Sequence, residues 1–494
     1  MYLIVWVKQK FYFIVQIILL VVFSAMLFSF HAQAQPIVTP EEQSQKYLTE
    51  MATCYACHTS NNTEPFAGGR EFITPLGTIH STNITPDAET GIGSWTDEEF
   101  YRVLHEGIGK NGEQIYPVMP YDAYTDIPYE DAMRIKARLM TQTPVTQENK
   151  ENELRFPYDR RQLVRGWKFL NFYKGERHSL ANNEISEKQR GAYIGETLTR
   201  CGSCHTPRTI TMGSDPGRAL TGALILDNWY APNITSDRIR GIGKWTDEEI
   251  KLFLHTGEIS GKAYAIGPMK EIIATSSSHL KEEDLNSLVL WLRNTPFDER
   301  NASNNTLSRS EWGRRHDFSA LLQLTVKEDG KGSQGQRTQT PALNYYTMCS
   351  GCHDIDGSGD TANHIPNLAR NTTLGMLAPH NTVKIILDGS DHRTHITPKT
   401  MPAFKDHLDD EQIASLTNWV FHYYGRNTTQ TDATQVHYAR MKLPIGDAPI
   451  IALLKASSIA LIAFAFIFIL GWIVRFSPRV KAIVISLKRK YKSA

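Results

Sequence analysis

Apolar residues recur at helical spacing along much of the chain, and the polar residues before them mark helix starts. Leu285, Leu288, Val289 and Leu292 fall at i, i+3, i+4 and i+7, one apolar helix face. Ile413, Leu416 and Val420 form a similar face behind Asp409 and Gln412, whose spacing predicts a cap. Thr96 with Glu99 and Thr246 with Glu249 predict two further capping boxes. Loops rich in Pro, Gly and Asn separate these helices, and no long alternating strand pattern is visible. The chain reads as mainly α, built from short helices.

Two stretches are apolar all round. Lys8 and Lys10 precede one from Phe11 to Phe30, and Ala32-Gln33-Ala34 follows it, which predicts a signal peptide over 1–34. A retained membrane anchor is the competing reading. Ala456 to Val474 is 19 residues without a charge, about the length of a helix that spans a hydrocarbon core. A transmembrane helix is therefore expected over 456–474. The tail 475–494 holds seven Lys/Arg and no acid, so the positive-inside rule assigns it to the cytoplasm. The expected placement is single-pass in the cell inner membrane, with the folded body on the periplasmic side.

An internal repeat organises the rest. Asn83-Ile84-Thr85-Pro86-Asp87 recurs as Asn233-Ile234-Thr235-Ser236-Asp237, and the segments at Gly91–Phe100 and Gly241–Ile250 share the pattern Gly-Ile-Gly-x-Trp-Thr-Asp-Glu-Glu. With the third cysteine motif these copies predict domains at 35–145, 185–300 and 335–428. Residues 141–190 contain the run Trp167–Tyr173, expected to pack between the first two units. Residues 326–340 read as an exposed joint.

Charge narrows the partners. The 494 residues sum to +1, but residues 35–474 hold 44 basic and 52 acidic residues, a mildly acidic body that argues against nucleic acid.

All six cysteines fall in one pattern: Cys54-Tyr-Ala-Cys57-His58, Cys201-Gly-Ser-Cys204-His205 and Cys349-Ser-Gly-Cys352-His353. Two thiols at this spacing can each form a thioether to a haem vinyl group, and the adjacent His reaches the iron. Structural zinc and a redox-active disulfide compete. Zinc sites pair two such knuckles or add spaced His ligands, and a redox pair does not need the following His three times. Three covalently bound haem c groups are expected. One Met lies downstream in each unit beside a Pro: Met119, Met269 and Met401, at 61, 64 and 48 residues from the His. These are candidate distal ligands. Packing methionines, or bis-His ligation through His80, His105, His255, His364 or His380, are the alternatives. Trp95 and Trp245 read as core anchors, and Asn83 and Asn233 as possible partners of haem propionates. No dinucleotide, phosphate-loop or zinc-protease motif is visible, so the chain is expected to move electrons rather than oxidise a substrate itself.

Thr74–Asp87, Tyr116-Pro-Val-Met-Pro-Tyr121, Cys201–Arg208, Ala231–Thr235 and Met401-Pro-Ala-Phe404 carry a family likeness. Over roughly 45–425 the chain resembles the triheme cytochrome c subunits of membrane-bound periplasmic dehydrogenases acting on alcohols, aldehydes and sugars. It departs from them at His80, where they usually carry Tyr or Phe, and in its apolar segment with a basic tail. The resemblance implies the six cysteines as attachment points, and His58, His205 and His353 with Met119, Met269 and Met401 as iron ligands. It implies a dehydrogenase catalytic subunit of flavin, quinone-cofactor or molybdenum type as donor, and ubiquinone or a terminal oxidase as acceptor. The alternatives are a molybdenum hydroxylase subunit and a donor to a haem-copper oxidase.

Overall fold

The computed structural model describes residues 39–60, 63–175, 186–296, 340–369, 371–376, 378–390 and 401–443. The first segment opens with α1 (Pro40–Met51), where Thr39 and Glu42 close a capping box and Pro40 pre-sets the first turn. A single turn, α2 (Cys54–His58), follows. Strands β1 (Glu71–Thr74) and β2 (Gly77–His80) pair as a hairpin with Glu71 opposite His80. Helix α3 (Asp97–Glu106) starts at the Thr96–Glu99 box and ends at Gly107, whose φ of 62° is left-handed. Helix α4 (Tyr129–Met140) packs back on α1.

The polar stretch that follows wraps the first segment. Strand β3 (Glu153–Leu154) joins β2, with Leu154 opposite Gly77. Helix α5 (Val164–Asn171) sets Lys168 Nζ on the carbonyls of Glu106 and Gly107 at 2.7 and 2.9 Å. Asn171 Oδ1 accepts from the Thr211 hydroxyl at 2.7 Å, so the belt touches the second segment at its end. Within the run expected to pack between units, Phe169 and Tyr173 are instead 89% and 83% exposed.

The second segment holds α6 (Glu187–Ala192), prolonged by a π-turn over Tyr193–Leu198, then α7 (Cys201–His205), α8 (Asp247–Thr256), α9 (Gly267–Thr275) and α10 (Glu282–Asn294). The α8 start is the second predicted box, Thr246 with Glu249. Helix α10 buries the predicted stripe Leu285, Leu288, Val289 and Leu292. Gly191 and Gly195 let α6 and its extension press onto α10: a Cβ on Gly191 would lie 1.9 Å from the Ser287 carbonyl oxygen. The third segment comprises α11 (Pro341–Met348), α12 (Ser350–His353), α13 (His380–Asp388), α14 (Asp410–Tyr423) and α15 (Ala433–Arg440), with α14 opened by the Asp409–Gln412 box.

The first two segments share one apolar core running from Leu48 to Leu292. Trp245 is buried in it, edge-on to Phe253, and Trp95 packs against it, as core anchors would. The third segment has its own core, from Ala342 to Ala439. Its seam with the second is mostly polar. Tyr230 N and O exchange two 2.8 Å bonds with the Asn381 amide, Lys384 Nζ meets Asp227 at 3.0 Å, and His364 Nδ1 meets Glu258 at 2.7 Å.

Two expectations are corrected. The fold class was expected to be three tandem cytochrome domains closed by a transmembrane helix, and the placement single-pass in the inner membrane. No helix among the described residues is long and apolar enough to cross a membrane. The longest, α14, has 14 residues, about 21 Å at the helical rise, and opens with Asp410 and Glu411. A hydrocarbon core needs about 20 apolar residues. The segments 1–34, 456–474 and 475–494, on which the signal peptide, spanning helix and cytoplasmic tail were expected, lie outside the described residues.

Candidate haem sites

Each Cys-x-x-Cys-His motif forms a single helical turn, which brings both thiols and the imidazole onto one short element. The residue before the first Cys is left-handed in two of the three: Thr53 has φ 54° and Arg200 has φ 52°. In the third, Cys349 itself caps the turn at φ −115°.

No disulfide joins any two of the six cysteines. Burial pushes Cys54 up to about 12 and Cys349 up to about 11, and raises Cys201 and Cys204 as well. A redox-active pair needs the opposite, a thiol lowered toward neutrality. Among the described residues no group of three or more His, Cys, Asp or Glu is placed to hold a metal ion, which removes support from the zinc reading. Thiols free of disulfides, four of them raised rather than lowered, suit thioether formation.

The three histidines share one arrangement. His58 Nδ1 donates to the Thr82 carbonyl at 2.7 Å, His205 Nδ1 to the Pro232 carbonyl at 2.6 Å, and His353 Nδ1 to the Pro366 carbonyl at 3.2 Å. With the proton committed to Nδ1, Nε2 keeps its lone pair, and the ring is held in orientation as a metal-ligating imidazole requires. Burial holds all three below the usual imidazole range, so the neutral form is favoured. The residues present therefore fit haem c.

Sequence reasoning missed these carbonyls, although a signal was there. Each belongs to the residue before an asparagine: Thr82-Asn83, Pro232-Asn233 and Pro366-Asn367. The asparagines shape the turn in the first two copies. Asn83 Oδ1 accepts from Thr85 N at 2.9 Å and its hydroxyl at 2.8 Å, and Asn233 does the same for Thr235 at 2.9 and 2.7 Å. Asn83 Nδ2 goes to Val145 O and Thr90 Oγ1, so its amide is spent on the protein and the propionate expectation fails there.

The candidate methionines are placed differently from one another. Met119 sits in a tight turn, with Tyr121 N donating to its carbonyl at 2.9 Å, and packs on the core that Cys54 and Cys201 also touch. Met401 packs on the third core, as Cys349 also does, and Ser390 Oγ accepts from Met401 N at 2.7 Å. Met269 lies on α9, which packs against α2, the turn of the first motif. Of the rival histidines, His364 pairs with Glu258 and His105 stacks on Tyr101 at 4.9 Å. His80 is buried with neither ring nitrogen hydrogen-bonded, its Nε2 lying 3.5 Å from Glu153.

The first two motifs meet. Arg200, just before Cys201, donates to the hydroxyl of Thr53, just before Cys54, and lies over the Tyr124 ring at 5.2 Å. Arg70 donates to the carbonyl of Ala56, inside the first motif, and forms a paired bridge to Glu271 on α9 at 2.6 and 2.8 Å.

Comparison with known proteins agrees. Residues 336–420 match the family described as cytochrome C oxidase, cbb3-type, subunit III. The chain is 35% identical over 401 residues to the fructose dehydrogenase cytochrome subunit of Gluconobacter japonicus, covering 80% of this chain and 81% of that protein. It is 32% identical over 398 residues to the gluconate 2-dehydrogenase cytochrome c subunit of Pantoea cypripedii, covering 78% and 86%. It is also 32% identical over 399 residues to the alcohol dehydrogenase (quinone) cytochrome c subunit of Gluconobacter oxydans (strain 621H), covering 78% and 79%. With thiols and imidazoles arranged for covalent haem, and this likeness along most of its length, the chain belongs to the family of dehydrogenase cytochrome c subunits, electron-transfer proteins that bind haem c covalently.

Proposed function

We propose that the chain carries three haems, at Cys54/Cys57, Cys201/Cys204 and Cys349/Cys352, and relays electrons from a dehydrogenase catalytic subunit to ubiquinone or a terminal oxidase. His58, His205 and His353 serve as proximal ligands, with Met119, Met269 and Met401 as distal ones. The observation that carries this reading is the imidazole-to-carbonyl bond found at all three motifs. Haem c supplies the one-electron couple. The chain's own part is to fix each imidazole tautomer through Thr82, Pro232 and Pro366, and to present the thiols and imidazole of each motif on one short turn. It also closes the first two motifs together through Thr53 and Arg200. Thioether ligation on the distal side favours electron transfer over substrate binding at iron.

Haem counting on the purified chain, followed by Met119→Ala, Met269→Ala and Met401→Ala singly, tests the reading. Three haems per chain are expected, with each substitution converting one low-spin site into one that binds carbon monoxide. Fewer than three haems, or unchanged axial ligation in the variants, refutes it. Reduction of a ubiquinone analogue by the assembled complex, compared with reduction of a purified oxidase, decides the acceptor.

A further inference from the structure

We infer that Arg200 is a shared positioning residue for the first two haem sites, a fixed cation that raises the reduction potential of both. The inference rests on the proposed haem attachment at Cys54/Cys57 and Cys201/Cys204.

Arg200 occupies the same place before the second motif that Thr53 occupies before the first, and both residues are left-handed. Its guanidinium crosses from one motif to the other, donating to Thr53 Oγ1 and stacking on Tyr124. Tyr124 in turn donates to the Ala52 carbonyl at 2.5 Å, which locks the ring under the cation. Met51, Ala52, Thr53 and Tyr124 are all buried, so the charge sits on dry surroundings. Arg200 directly precedes Cys201 and is bonded to the residue that precedes Cys54, so it lies between the first two motifs, while Cys349 belongs to the separate core of the third segment.

The two arginines at this seam differ in one respect. Arg70 is neutralised by the paired contact with Glu271. Among the described residues no carboxylate pairs with Arg200; its partners are the Thr53 hydroxyl and the Tyr124 ring. A cation partly withdrawn from water without an acid costs stability. It is compensated where an electron arrives. A reduced haem carries one positive charge fewer than an oxidised one, so a nearby fixed cation favours reduction.

The test is a spectroelectrochemical titration of the full haem-loaded chain in three forms: wild type, Arg200→Gln and Arg200→Lys. In Arg200→Gln two of the three haems should each become at least threefold harder to reduce, about 28 mV at 59 mV per tenfold. The third haem should move less than 1.5-fold. Arg200→Lys, which keeps the charge, should hold all three within twofold of wild type. Equal shifts at all three haems, no shift at any, or a Lys variant that falls as far as Gln overturns the inference. Arg200→Met, which keeps apolar contact with Tyr124, replaces Gln if that variant does not mature. If neither uncharged variant attaches haem at the first two motifs, Arg200 is a folding residue and the inference is overturned. Mass analysis of wild-type haem peptides separates the two levels: haem missing from Cys54/Cys57 or Cys201/Cys204 refutes the attachment reading itself.

Discussion

Asp284 offers the sharpest test of how the first two segments are joined. Its side chain is 10% exposed on α10 and accepts from Arg190 Nε and Nη2 at 2.8 Å each. It also accepts from the Tyr47 hydroxyl on α1 at 2.5 Å. Asp284→Ala would strand the Arg190 cation and leave the Tyr47 hydroxyl without its acceptor. Breaking a fully buried pair costs about 3–5 kcal/mol, an exposed one about 0–1 kcal/mol. Arg190 is 32% exposed, so water repays part of the loss and the expected cost is about 2–3 kcal/mol. In a body of this size that is a fall in melting temperature on the order of 5–10 °C. Thermal unfolding of the haem-loaded chain, followed by far-ultraviolet circular dichroism, measures it. The sign with pH is fixed as well. Burial alone would raise the Asp284 carboxyl, but the Arg190 and Tyr47 bonds and the Arg190 charge outweigh it, leaving it below the usual range. Its contribution is therefore full above about pH 4, the unfolded value, and is lost as pH falls through the lower folded value. The difference between wild type and Asp284→Ala should be complete at pH 6 and close on further acidification. A cost under about 0.5 kcal/mol, or a gap that does not change with pH, would refute the reasoning.

Two further outcomes follow from local geometry. A Cβ at Gly195 would lie 2.4 and 2.5 Å from the Trp291 ring, so Gly195→Ala should lower the unfolding free energy of the shared core by about 1–3 kcal/mol in a urea titration. Thr96→Ala and Thr246→Ala each remove a capping box and should each cost about 1 kcal/mol in the same titration, adding in the double variant because the two caps share no partner.

Local chemistry was the most legible part of the chain. The boxes at Thr96, Thr246 and Asp409 and the stripe on α10 depend on residues three or four apart, and each appears where the spacing puts it. The Cys-x-x-Cys-His turns are equally local. What escaped depends on pairs far apart in the chain. The imidazole partners lie 24, 27 and 13 residues from their histidines, and Arg200 meets Thr53 across 147 residues. Nothing in periodicity reports such pairings. The Trp167–Tyr173 run shows the same limit, since apolar content does not say which side of a belt is covered.

The single core shared by the first two segments also orders the birth of the molecule. A chain emerging from its N-terminus cannot close that core before α10 has been made, because Leu285, Leu288, Val289 and Leu292 complete it. Until then the surfaces against which Cys54 and Cys201 pack stay unfinished together. The third pair belongs to a core that begins only at Ala342. The packing thus makes the first two segments one folding unit and the third another.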